Sequence, residues 1–187
     1  MKLNKTLVFA FVLMIIAASV YRVWDGRPWG FVPQMAIALF AGAVIKDKKW
    51  AFAMPLLSMF LSDVLYQVLY ASGLTEIKGF YGGQVLNYVL FGSLTFIGFW
   101  MRNLNIGRIA AGSLAAPTVY FLLSNFAVWA GGGGLQRPKT FDGLMMCYAD
   151  GLPFYGGYVM GTVFFTVVLF GAYFLFKGKE ETQKVIA

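Results

Sequence analysis

Apolar residues run through the chain in six stretches, separated by short polar or glycine-rich breaks. The stretches cover residues 7–23, about 32–45, 50–70, about 81–100, 109–129 and about 158–176. A helix that crosses a hydrocarbon core of about 30 Å needs roughly 20 apolar residues. The pattern predicts an all-α fold: a polytopic membrane helix bundle of about six transmembrane helices, in a single domain over residues 1–187. The second stretch is short for a span unless its flanks join it. A further apolar segment, residues 141–154, is too short to span and predicts a re-entrant or interfacial helix. Thr140 or Asp142 would cap its start, and Asp150, Gly151 and Pro153 would end it. No internal repeat or second domain interrupts this plan.

Composition sharpens the picture. Of 187 residues, 59% are hydrophobic and 12% charged, against roughly 45–50% and about 25% in soluble domains. A soluble domain of this size cannot hide so much apolar surface, and a disordered chain would carry more charge. The net charge of +7 does not point to nucleic acid, because the basic residues flank the apolar runs. With the N-terminus inside, the inner flanks hold Lys2, Lys5, Lys46, Lys48, Lys49, Arg102, Arg108, Lys177, Lys179 and Lys184. The outer side holds Arg22, Arg27, Lys78, Arg137 and Lys139. This two-to-one bias predicts both termini in the cytoplasm. Trp24, Trp29, Trp50, Trp100 and Trp129 all fall near span ends, as an interfacial aromatic belt requires. An alternative for the first stretch is a cleavable signal peptide, with Lys2 and Lys5 before the apolar run and Ala17, Ala18 and Ser19 after it.

The chain has no histidine and one cysteine, Cys147. This excludes internal disulfides, Cys/His zinc sites and Ser-His or Cys-His catalysis. The chemistry must therefore come from the few polar residues inside the apolar stretches. The third stretch carries most of them. Asp63, Tyr66, Gln67 and Tyr70 fall at i, i+3, i+4 and i+7, which places them on one helix face, with Ser62 beside it and Ser58 one turn earlier. At 1.5 Å per residue, Asp63 lies about 20 Å from the inner start of its span, in the outer half of the bilayer. Asn125 reaches a similar level on the fifth stretch, with Trp129 one turn further out. Asn87 and Gln34 sit near the outer starts of the fourth and second. Polar groups at the outer level and apolar inner halves predict a pocket open to the outside, whereas a channel would need polar lining at both levels.

Each of these residues has a structural alternative. Asp63 is either a substrate or proton site or a carboxyl held by Ser62, Asn87 or Asn125 to fix packing. Asn87 and Asn125 either meet a ligand or bond between helices. The outer tryptophans anchor the interface or wall a pocket, and Arg27 meets an anionic ligand or lipid phosphate. Ala38 and Gly42 form a small-xxx-small pair suited to close contact, within the bundle or with a partner subunit. Pro55 and Pro117 are candidate kinks, and Gly131–Gly134 is a candidate hinge or a plain connection.

Four stretches together, FAGA at 40–43, PLLSMFLSDV at 55–64, SNFAVW at 124–129 and GLMMCYADGLPF at 143–154, resemble an uncharacterised bacterial membrane family of transport proteins over about residues 27–172. In size and layout that family is similar to the substrate-binding S components of energy-coupling-factor transporters. The resemblance implies a six-helix bundle that binds a small molecule at its outer side and draws energy from a membrane coupling subunit and two ATPases. Two departures stand out. The first span has no Ala-x-x-x-Ala docking pattern, and Gly30-Phe31-Val32-Pro33 stands where the family tends to read Asn-Phe-Ser-Pro.

These readings converge on a substrate-capture subunit in the bacterial cytoplasmic membrane. Its candidate ligand contacts are Asp63, Gln67, Asn87, Asn125, Trp129 and Gln34, beneath a lid made by the first and last outer loops. No nucleotide-binding motif is present, and no cofactor, metal or nucleic-acid partner is expected. The alternatives are a noncatalytic membrane scaffold and a stand-alone proton-coupled carrier in which Asp63 titrates.

Overall fold

The computed structural model describes the backbone of residues 5–186 and the side chains of residues 9–177. Lys2 lies outside the described residues, and Lys5, Lys179 and Lys184 outside the described side chains. Six helices follow in order: α1 (Lys5–Val23), α2 (Gln34–Val44), α3 (Lys48–Ala71), α4 (Gln84–Trp100), α5 (Ile106–Gly131) and α6 (Phe141–Ile186). Each coincides with one predicted stretch. Three segments are long and apolar enough to cross a membrane: Lys48–Ala71, Ile106–Gly131 and Phe141–Lys177. Phe9–Val23, Gln34–Val44 and Gln84–Trp100 are shorter apolar helices. Phe9, Leu13, Phe60, Val89 and Phe164 point outward and are exposed. A continuous apolar exterior of this kind suits lipid and not water, and the chain is an all-helical membrane protein.

The helix order leaves two unlike ends. Short turns at 45–47 and 101–105 close one end, where Asp47 caps α3 by accepting from the Lys49 amide and Asn105 caps α5 by accepting from the Arg108 amide. Longer segments, 24–33, 72–83 and 132–140, form the other, the loop end.

Helix α2 is the spine. All eleven of its residues are buried, and α3, α4, α5 and α6 pack around it. At 1.5 Å per residue it is only about 17 Å long. That length suffices because α2 meets protein and not lipid. Its small residues let α4 come close. A Cβ on Gly42 would collide with the Thr95 carbonyl, and one on Gly98 would meet the Leu39 carbonyl at 2.5 Å. The Ala38/Gly42 pair is thus turned inward onto Gly98. At the C-terminus of α2, Arg102 donates to the carbonyls of Gly42 and Ile45, both at 3.1 Å. These are among the carbonyls that a helix end leaves without partners.

Two sequence expectations change. Residues 141–154 are not a separate re-entrant helix. They are the first turns of α6, which passes through Asp150, Gly151 and Pro153 without a break. Pro153 forfeits one amide bond, to the Ala149 carbonyl, but its fixed φ is compatible with a helix. The segment is held along α5 by Tyr148, which donates to the Leu122 carbonyl at 3.2 Å, and by a 2.7 Å bond between the Tyr155 and Thr118 hydroxyls. Tertiary contact outweighs the local breakers. Likewise, Pro55 and Pro117 lie inside the unbroken helices α3 and α5.

Helix α1 is built into the bundle. Ala18 and Ser19 are buried, and Ser19 donates to the Ser58 carbonyl at 2.9 Å. The stretch that sequence alone also allows as a signal peptide is here the element that brings Arg22 to α3.

Candidate functional site

The polar stripe of α3 leads to a closed knot at the loop end. Asp63 is only 2% exposed. One carboxylate oxygen accepts from Arg22 Nη1 at 2.5 Å. The other accepts from Tyr88 Oη at 2.6 Å and from Gln84 Nε2 at 2.7 Å. The same Arg22 nitrogen lies 2.5 Å from the Ser62 hydroxyl. Around this centre, Tyr66 donates to the Arg22 carbonyl at 2.8 Å, and Arg27 donates to that carbonyl at 2.7 Å and to the Tyr66 hydroxyl at 3.1 Å. The segment 72–83 seals the knot: Gly79 presses onto the Asp63 and Gln67 backbone, and its carbonyl accepts from Gln84 at 3.1 Å.

The chemistry of this arrangement is retention. A carboxylate offers about four lone-pair sites, and three are filled by α1 and α4. Burying one charge would be prohibitive, and a well-bonded opposite charge offsets that cost. The knot ties α1, α3 and α4 together.

A second polar region differs in kind. Two clefts flank the loop-end half of α5 and share Tyr120 and Ser124. The larger, about 520 Å³, opens between α4 and α5 and is lined by Tyr81, Asn87, Leu90 and Val128 among others. The smaller, about 180 Å³, lies between α5 and α6, where Asn125 faces Gly151, Phe154, Tyr155 and Tyr158. Gly151 makes room here, since a Cβ at this position would sit 2.5 Å from Asn125 Oδ1. Below the clefts, Tyr120 packs on Phe91 with ring centroids 4.7 Å apart. The buried Leu94, Ala116, Met101 and Ile109 follow. The larger cleft reaches the loop end through Tyr81, Gly82, Gly83 and Gly133, and the space towards the short turns is filled.

The six residues singled out from sequence divide between these regions. Asn87 and Asn125 line the clefts. Asn87 is oriented by Tyr120, which donates to its Oδ1 at 2.7 Å, and itself donates to Tyr81 Oη at 3.0 Å. Asn125 donates to the Phe121 carbonyl at 2.8 Å. Asp63 belongs to the knot. Gln67 accepts from the Phe80 amide at 3.4 Å. Gln34 is buried beneath α1 and donates to the Ala18 carbonyl at 3.4 Å. Trp129 donates to the Pro138 carbonyl at 2.8 Å and lies under Lys139, which pins the 132–140 segment onto α5. Asn87 and Asn125 do not hold Asp63. Gln84, Tyr88 and Arg22 do.

Sequence reasoning passed over Arg22, Gln84, Tyr88 and the tyrosines of the clefts. Signals for them existed. Asp63 as the lone acid within a predicted span demands a cation, and Arg22 stands in the last turn of α1, next to its final residue. Gln84 and Tyr88 stand at i and i+4, on one face of α4.

The bundle with its ion pair and open clefts is that of a helical membrane protein with a polar loop end. Over residues 2–184 the chain matches the Family of unknown function (DUF6580), and it belongs to that family. No curated protein and no solved structure matches it.

Proposed function

We propose that this protein captures a small molecule at the outer face of a bacterial cytoplasmic membrane and acts as a noncatalytic, substrate-binding subunit of a transport system. One observation carries the reading: the paired clefts around Tyr120 and Ser124 present amide and hydroxyl groups at one end of the bundle, over an apolar floor. In this reading all six helices cross the membrane, both termini are cytoplasmic and the loop end faces out, as the lysine and arginine bias supports. Helix α2 crosses as a buried spine, and the clamped 132–140 segment stands beside the cleft mouth. The chain has no nucleotide-binding motif, so energy for release to the inside would come from a membrane coupling subunit with ATPases, or from a gradient.

The test is a thermal-shift screen of the purified protein in detergent against small metabolites. A ligand that binds only the folded state at about 100 times its dissociation constant stabilises it by about 2.7 kcal/mol. The reading expects a hit that disappears in Ser124→Leu, which fills both clefts. A silent screen across a broad library favours the second reading, a membrane scaffold, to which the fully bonded Asp63 lends support. The stand-alone carrier has less support, because a titrating Asp63 would need access to water and the carboxylate is sealed.

A further inference from the structure

The clefts also restrict what they can hold. Neither is lined by an Asp, Glu, Lys or Arg. An ionised ligand would lose hydration there without meeting a counter-ion, a cost of several kcal/mol. Their walls are aromatic. Phe121 and Tyr155 pack with centroids 5.0 Å apart, and Tyr120 and Tyr158 with centroids 5.6 Å apart, so flat faces are available for stacking. The open hydrogen-bonding capacity is of both kinds: the Asn87 and Asn125 amides each give one N–H to a protein acceptor and keep a second. Tyr120 has given its hydrogen to Asn87 and Ser124 its hydrogen to the Phe121 carbonyl, leaving oxygen lone pairs. Asn125 Oδ1 has no hydrogen-bond partner among the described residues. Tyr81 accepts from Asn87 and keeps its own hydrogen to donate.

Resting on the capture reading above, we infer that the ligand is an uncharged planar ring compound whose edge carries both hydrogen-bond donors and acceptors and faces Tyr120, Ser124 and Asn125 on α5. Such an edge satisfies both the oxygens and the amide N–H groups that would otherwise be buried without partners on binding. An anion finds only neutral N–H and O–H groups and no cation among the lining residues. A cation gains from the aromatic faces but has no carboxylate to balance it, because Asp150, next to the lining residue Gly151, is paired with Arg137, and Asp63 with Arg22.

The test uses near-isosteric sets of ring compounds, each set containing an amide, its carboxylate and its ring-N-methylated cation, such as nicotinamide, nicotinate and 1-methylnicotinamide. Each compound is added to the detergent-purified full chain and the unfolding midpoint is read. The inference expects midpoint rises confined to the uncharged members. It also expects Asn125→Asp to lose those rises and to gain response to the cationic members. Rises confined to carboxylates or to cations in the unaltered protein overturn the inference and leave the capture reading standing. Silence from every charge class across the library, with the protein folded, overturns both.

Discussion

The knot around Asp63 and the clefts around Tyr120 lie at the same end of the bundle and are built from similar residue types, but they are opposites in what remains available. In the knot, both carboxylate oxygens are bonded, Asp63 is buried with Arg22 partly so, and a loop presses onto the Asp63 backbone. In the clefts, Asn125 Oδ1 and the oxygens of Tyr120 and Ser124 keep lone pairs facing open volume. Polarity inside a membrane bundle is therefore ambiguous until its partners are counted. A satisfied polar group fixes helices to one another, and only an unsatisfied one next to space can bind something else.

The contrast can be broken at its strongest point first. Asp63→Leu leaves Arg22 beside apolar surface with its partner gone, and removal of one member of a buried pair costs about 3–5 kcal/mol. Denaturation in detergent should show a loss of that order. The double variant Arg22→Leu with Asp63→Leu should recover most of it, because replacing both charges by apolar groups is often neutral. If the double variant is as unstable as the single, the pair is not what holds α1 to α3.

Next in size is the α2–α4 contact. Gly42→Val places a side chain against the Thr95 carbonyl and the Gly98 backbone, which cannot yield as a flexible side chain would. Overpacking of this kind costs roughly 1–3 kcal/mol, read as a lowered midpoint and a smaller folded fraction. An unchanged midpoint would mean that the spine is not tightly packed.

Smaller effects on stability are expected in the clefts. Asn125→Leu removes one bond to the Phe121 carbonyl and should lower stability by about 1 kcal/mol or less. Its effect on ligand response should be complete. Smallest of all is Arg137→Ala. Arg137 forms a two-pronged pair with Asp150 at 2.8 and 2.9 Å, tying the 132–140 segment to α6. The pair is open to solvent, where salt screens it. The midpoint should not move, and protease sensitivity within 132–140 should rise.

Much of the architecture is legible in the hydrophobic pattern, because six apolar stretches of helical length leave few alternatives in lipid. The start of α6 is not. Asp150, Gly151 and Pro153 carry local breaking signals, and what overrides them is contact with α5, a tertiary fact. Polarity at one end of the bundle is legible too, and two of the residues it singles out, Asn87 and Asn125, line the clefts. The distinction between committed and open polar groups is not legible. It depends on Arg22 reaching Asp63 from another helix, and a count of flanking charges treats Arg22 as a topological marker only. The tyrosines escaped notice for a related reason. A tyrosine within an apolar stretch reads as core until its hydroxyl is placed beside a void.

The central claim is that binding belongs to the clefts and not to the knot. The most direct measurement takes the strongest hit from the ligand screen and records the midpoint rise it produces in Asp63→Asn and in Asn125→Leu side by side. The account predicts a lowered starting midpoint with a full rise in Asp63→Asn, and a near-normal starting midpoint with no rise in Asn125→Leu. A rise that is lost in Asp63→Asn and retained in Asn125→Leu would contradict it and move the binding site to the ion pair.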